Sequence, residues 1–127
     1  MARNRASARS AGSRFERTTA DGLRKRLRND YIDRRVKTGA NDRGDIAGVR
    51  TVLGGRVVIE TKDYGGVIKA SEWLREAEIE AANDDAPIGV VIIKRRAVTD
   101  PMKQYVLMDV ETLCRLLEGG ANEADFN

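Results

Sequence analysis

The spacing of apolar and polar positions predicts the order helix, three strands, helix, strand, strand, helix. Residues 1–12 are mostly Arg, Ala, Ser and Asn with little to bury, and read as a disordered basic arm. From Ser13 the pattern changes. Phe15, Thr19, Leu23 and Leu27 recur every four residues beneath a surface carrying Arg24, Lys25, Arg26 and Arg28, as in a basic amphipathic helix that ends near Asn29. Ser13 and Glu16 stand in capping-box positions at its start. Residues 31–36 have the composition of an edge strand, and residues 38–44 that of a loop.

Residues 45–49 and 56–62 read as two strands joined around Leu53-Gly54-Gly55. Two registers are open. A connection centred near Val52-Leu53 sets Asp45 across from Glu60, whereas a tight turn at the glycines sets it opposite Tyr64 unless Gly48 marks a bulge. Ser71 then stands where it can cap a helix with Trp73, Leu74, Ala77 and Ala81 on one face, leaving Glu76, Glu78 and Glu80 as a solvated face. The apolar run 88–93 is too short for an ordinary helix and rich in β-branched residues, so it predicts a central strand buried on both sides. Residues 105–108 form the next strand. Asp109 or Thr112 opens a last helix bearing Val110, Leu113, Leu116 and Leu117, with Cys114 as a small buried hydrophobe among them. Gly119-Gly120 stops that helix. The pattern describes one α/β domain over residues 13–118, a mixed central β-sheet flanked by helices, followed by a flexible acidic tail at 119–127.

Charge sharpens this picture. Of 23 Lys and Arg and 20 Asp and Glu, residues 1–37 hold twelve basic and four acidic, or +8, and residues 38–127 hold eleven basic and sixteen acidic, or −5. A field concentrated at one end suits a polyanion such as a phosphate backbone. No run approaches a membrane span and no apolar core follows the basic start, so the expectation is a soluble, cytoplasmic protein of a bacterium or, for a virus, of its host. The chain has no histidine, which removes HNH-type nucleases, zinc fingers and His-dependent hydrolases. Hydrolysis is left to carboxylates, metal and lysine.

The chemistry concentrates in Gly44-Asp45-Ile46 and in Val57-Val58-Ile59-Glu60-Thr61-Lys62. Strand alternation places Glu60 and Lys62 on one face, and an unpaired charge in so apolar a strand is costly unless a metal or partner compensates it. Bland readings compete: Glu60 and Lys62 as a surface pair, Asp45 as a strand-end turn residue. The Val57–Ile59 run favours a central strand and hence the chemical reading.

With Gly12-Ser13-Arg14-Phe15-Glu16-Arg17 on the first helix, and a helix and apolar strand following, these motifs resemble the PD-(D/E)XK nuclease superfamily, most closely the archaeal-type Holliday-junction resolvases. The likeness spans roughly residues 12–110, most of a domain of ordinary size. Gly44 stands where the pattern has proline. The resemblance implies a restriction-endonuclease-like fold and a homodimeric, structure-selective DNA endonuclease that hydrolyses phosphodiester bonds in four-way junctions and serves recombination and repair. It implies that Asp45 and Glu60 hold Mg²⁺ or Mn²⁺, that Glu16 approaches the same site, that the Thr61 carbonyl completes the ligand set, and that Lys62 orients or helps deprotonate the attacking water. Glu16 has an equal alternative as the capping partner of Ser13. Asp33, Asp42 and Asp63 read as solvated or turn residues.

Arg14, Arg17, Arg24, Lys25, Arg28 and Lys69 are the expected DNA contacts, with Lys94-Arg95-Arg96 a weaker group at a strand end. Three other functions remain open. One is a superfamily nuclease acting on duplex ends, nicks or flaps. Another is a basic DNA-binding protein without catalysis, and the third is an RNase H-like nuclease, which would not need Lys62.

Overall fold

The computed structural model describes residues 3–37 and 41–121. It is an α/β fold in which a five-stranded mixed sheet carries helices on both faces, as the pattern predicted. The elements are α1 (Arg5–Leu27), β1 (Asp33–Arg34), β2 (Ile46–Ala47), β3 (Val57–Lys62), α2 (Ala70–Asn83), β4 (Ile88–Ile93), a 3₁₀ turn at Pro101–Lys103, β5 (Tyr105–Leu107) and α3 (Val110–Leu117). The strands lie in chain order, β1 to β5. Only the central pair, β3 and β4, is parallel.

The first helix corrects the expectation of a disordered arm through residue 12. Asn4 caps it by accepting a hydrogen bond from the Ser7 N–H at 2.8 Å, and the helix then runs for 23 residues, about 34 Å at the usual rise. Arg and Ala are strong helix formers, which a reading based on burial overlooks. Ser13 is therefore mid-helix and caps nothing. Ala11, Phe15 and Thr19, spaced by four, and Ala20 turn inward, whereas Leu27 is exposed.

Alternation along the central strands divides the core between two faces. Ile59, Ile88, Val90 and Ile92 pack with Phe15, Ala20, Ile32 and Ile46 on the α1 side. Val91 and Ile93 pack with Trp73 and Ala77 on the α2 side. β4 is thus buried on both faces, as expected of its unbroken apolar run. Gly89 matters here because a Cβ at that position would lie 2.5 Å from the Ala77 carbonyl oxygen, so glycine lets α2 settle closely on the sheet.

Pairing of Ile46 with Ile59 selects the register centred near Val52-Leu53. Further toward the turn Arg50 opposes Arg56, so the four steps from Ile46 to Arg50 face the three from Arg56 to Ile59. The extra residue is a bulge, and Gly48, at φ +88°, lies within it.

The C-terminal expectations need correction. α3 forms behind an Asp109 cap, but Val110, Leu113, Leu116 and Leu117 are all exposed and so is Cys114. Gly119 and Gly120 are buried; the Gly120 N–H donates to the Arg115 carbonyl and the Gly119 carbonyl accepts from Thr51. They belong to the packed domain rather than to a flexible tail, whose remainder (122–127) lies outside the described residues. Among the described residues no helix is long and apolar enough to cross a membrane.

Candidate metal centre and cleft

Ile46 and Ile59 share the α1 face, so their neighbours Asp45 and Glu60 share the opposite one, where α2 lies. Asp45 occupies a bend just before β2 and is almost fully buried. Its Oδ2 accepts from the Thr61 backbone N–H at 2.8 Å and the Thr61 hydroxyl at 3.1 Å, and its Oδ1 lies 2.8 Å from Lys37 Nζ. That hydrogen bond and the Asp45 charge hold the Lys37 ammonium well above its usual range, against a smaller opposing effect of burial. Gly44 at φ +90° is needed because a Cβ there would press on Val58 and the Ile59 carbonyl.

Glu60, 8% exposed, faces a carboxylate that the sequence reading placed in solvent. Glu80, on α2, is 5% exposed and buried against it. Trp73, Glu76, Ala77, Glu80 and Ala81 follow the 3–4–7–8 spacing of one helix stripe, so the two glutamates lie on the packed face. That spacing was the available signal. Oxygens of Asp42, Glu60 and Glu80 all lie within 4.8 Å of one another. Asp42 is exposed and is the turn residue expected, its Oδ1 accepting from the Gly44 N–H at 2.9 Å.

Burial pushes the Glu60 carboxyl far above its usual range, aided by Glu80 and the Asp45 charge, with Lys62 opposing; burial raises Glu80 as well. Two carboxyls this close hydrogen-bond only when they share a proton, and with both ionised neither Glu60 Oε2 nor Glu80 Oε2 has a partner among the described residues. Lys62 Nζ lies 2.6 Å from Glu76 Oε2 and 3.7 Å from Glu60 Oε1. Burial opposes the Lys62 charge, but the Glu76 hydrogen bond and the Glu60 charge outweigh it and hold the ammonium above its ordinary value. The edge-to-face rings of Tyr64 and Trp73 flank it at 5.7 and 5.8 Å.

The donor set fits a hard divalent cation. Asp42, Asp45, Glu60, Glu76 and Glu80 bring five negative charges against the two of Lys37 and Lys62, leaving −3 at full ionisation. Two buried carboxylate oxygens also stand without a donor. Such a site binds protons or a cation, because desolvated like charges are otherwise expensive. The acidic cluster can therefore bind a metal.

Glu16 neither caps a helix nor joins the cluster. Its Oε2 accepts from Arg34 Nε and Nη2 at 3.2 and 3.0 Å, although its charge still reaches Lys37. Asp45 lies beside the cluster, bound to Lys37 and Thr61, rather than within the closest group of oxygens.

Beside the centre a cleft of about 1100 Å³ opens between the first half of α1 and the segments that follow β3 and β4. Glu60, Thr61 and Lys62 line it. So do Arg3, Arg14, Lys94, Arg95 and Arg96, giving with Lys62 six basic groups against the two acidic ones of Glu60 and Asp63. The basic residues expected at DNA are thereby separated in space. Arg14 is in the cleft, but Arg17 and Arg24 pair with Asp21 and Asp33, and Lys25 and Arg28 line a separate hollow with Met102 near the other end of α1. Arg24 is about 15 Å along the helix from Arg14. Lys69 lies 5.8 Å above the Tyr64 ring at the cleft rim.

No family model matches the chain, and no curated protein or solved structure matches it.

Proposed function

We propose that this protein is a divalent-cation-dependent DNA endonuclease of the PD-(D/E)XK type, acting on four-way junctions. The observation that carries the reading is the placement of buried Asp45 beside buried Glu60, with Lys62 on the same face and a basic cleft alongside. A surface ion pair needs no such burial, and a purely architectural DNA-binding protein gains nothing from the uncompensated pair Glu60 and Glu80 in its core.

Glu60, Glu80 and Asp42 would hold the cation, Mg²⁺ or Mn²⁺, with Asp45 beside them. When bound, such an ion polarises a phosphate oxygen and makes water more acidic. The chain's own groups do the rest. Arg14 and Arg96 bring positive charge to the phosphates of a strand in the cleft. Thr61 fixes the Asp45 carboxylate through two hydrogen bonds, so the carboxylate does not reorganise as substrate enters. Lys62, held protonated, offsets the negative charge that grows on phosphorus; its raised proton affinity makes it a poor base and a good electrostatic partner.

A homodimer belongs to this proposal, because a two-fold pair of chains sets one centre on each of two symmetry-related strands of a junction. Sedimentation at micromolar concentration tests it. The catalytic reading is tested by incubating labelled four-way junction and linear duplex of equal length with the protein, with and without Mg²⁺. Preferential, cation-dependent nicking of the junction is expected. Equal cutting of both leaves a superfamily nuclease of ends, nicks or flaps, and no cutting in any condition removes the nuclease reading.

A further inference from the structure

Tyr64 stands two residues beyond Lys62, on the segment that leaves β3 and forms one rim of the cleft. It is 49% exposed, yet its ring is braced, with its centroid 5.1 Å from that of buried Trp73 at an interplanar angle of 62°. A braced aromatic ring beside a polyanion-binding cleft has already given up much of its freedom, so a flat ligand that stacks on it pays little further ordering cost. Lys62 and Lys69 stand 5.7 and 5.8 Å from the Tyr64 ring centroid, so a stacked base shares the ring with two cations, and the backbone beside it is bare. Gly65, at φ +64°, has no atom within 4 Å of where a Cβ would stand, and neither does Gly12 on the α1 wall. Bare backbone on both sides leaves room for a chain to lie between. Charge completes the pattern: Arg14 and Arg96 both line the cleft and are exposed, and neither is in an ion pair among the described residues.

We propose that the cleft takes one unpaired DNA strand, with a base stacked on Tyr64 and the flanking phosphates held by Arg14 and Arg96. Aromatic rings interleaved with basic groups recognise single strands, because every base has a face to stack whereas a duplex keeps its faces covered. The inference deepens the nuclease reading and rests on it for the site of cutting: a strand bound this way carries its phosphate past Lys62 only where bases are unpaired. A four-way junction can keep every base paired, so binding this way requires a base at the branch point to leave its stack, which costs least where pairing is already interrupted.

The test is a binding titration in EDTA, which needs no cleavage. Fluorescein-labelled single-stranded oligonucleotide and the blunt duplex of the same sequence are titrated with wild type, Tyr64→Ala and Tyr64→Phe, read by anisotropy. Wild type is expected to bind the single strand more tightly than the duplex. Tyr64→Ala should weaken single-strand binding about tenfold, the scale of one base–aromatic stack, and leave duplex binding unchanged, while Tyr64→Phe stays within about twofold of wild type because the ring is kept. Circular dichroism and thermal melting report the fold of each variant. Equal affinity for both DNA forms, or a Tyr64→Ala variant that binds single strand like wild type, overturns the proposal. A protein that shows this preference but never cuts DNA retains the strand site and loses the nuclease reading.

Discussion

Lys62 Nζ is anchored more closely by Glu76, at 2.6 Å, than by its strand neighbour Glu60, at 3.7 Å. The helix facing the sheet therefore sets where the ammonium points. Removing Glu76 leaves a largely buried cation without its nearest partner and takes away a main support of its raised proton affinity. Glu76→Ala is expected to lower the cleavage rate about tenfold, within the range for mispositioned charge stabilisation, with little change in DNA affinity. The alkaline limb of its pH–rate profile should move to lower pH. Single-turnover cleavage across pH checks both effects.

Glu60 and Glu80 both have folded-state values raised above the ordinary 4.5. These two groups bind more protons in the folded protein than in the unfolded chain, so their contribution to stability is fully present below pH 4.5 and is lost as pH rises through neutrality. Thermal melts of metal-free protein should show Tm falling by several degrees between pH 5 and pH 8. Glu80→Gln should flatten the slope, and millimolar Mg²⁺ or Mn²⁺ at pH 8 should raise Tm by binding the ionised, folded form.

The close seating of α2 on β4 depends on Gly89. A methyl group there meets the Ala77 carbonyl oxygen at 2.5 Å and Ala81 Cβ at 3.1 Å. Gly89→Ala should cost roughly 1–3 kcal/mol, as overpacking does, and displace Glu76 and Glu80 along with the helix. Gly12→Ala is the control, since nothing lies near its Cβ position; removing a mid-helix glycine should stabilise by up to about 1 kcal/mol. Denaturant melts of the two variants give the comparison.

Basic residues near the acidic centre should contribute more than those at the other end of α1. Arg14→Ala and Arg96→Ala are each expected to weaken DNA binding and reduce the salt dependence by about one phosphate contact. Lys25→Ala, which lies at the separate hollow near Met102, should do neither. Anisotropy titrations at several salt concentrations distinguish these outcomes.

What the sequence disclosed follows from how local each signal is. The apolar run of β4 and the alternation in β3 depend on adjacent residues, and both strands appear where the pattern puts them, with Asp45 in the register that meets Glu60. The burial of Glu80 was missed because it arises from long-range packing: an acidic helix looks solvated until Trp73 and Ala77 fix which stripe faces the sheet. The start of α1 was misread for the converse reason, since an Ala- and Arg-rich run can be helical without burying much. In α3 the amphipathic pattern identified a helix correctly but not its surroundings, and Leu113 and Leu117 are exposed.

On the proposed function, Asp45, Glu60 and Lys62 belong to one cation-dependent phosphodiesterase centre. The most direct measurement is cleavage of a labelled four-way junction by wild type, Asp45→Ala and Glu60→Ala in Mg²⁺ or Mn²⁺, with DNA binding followed in parallel. Wild type should nick only when the cation is present, and both variants should bind the junction at least as well but fail to cut it. Cleavage by Glu60→Ala at the wild-type rate, or no cleavage by wild type with either cation, would contradict the proposed function.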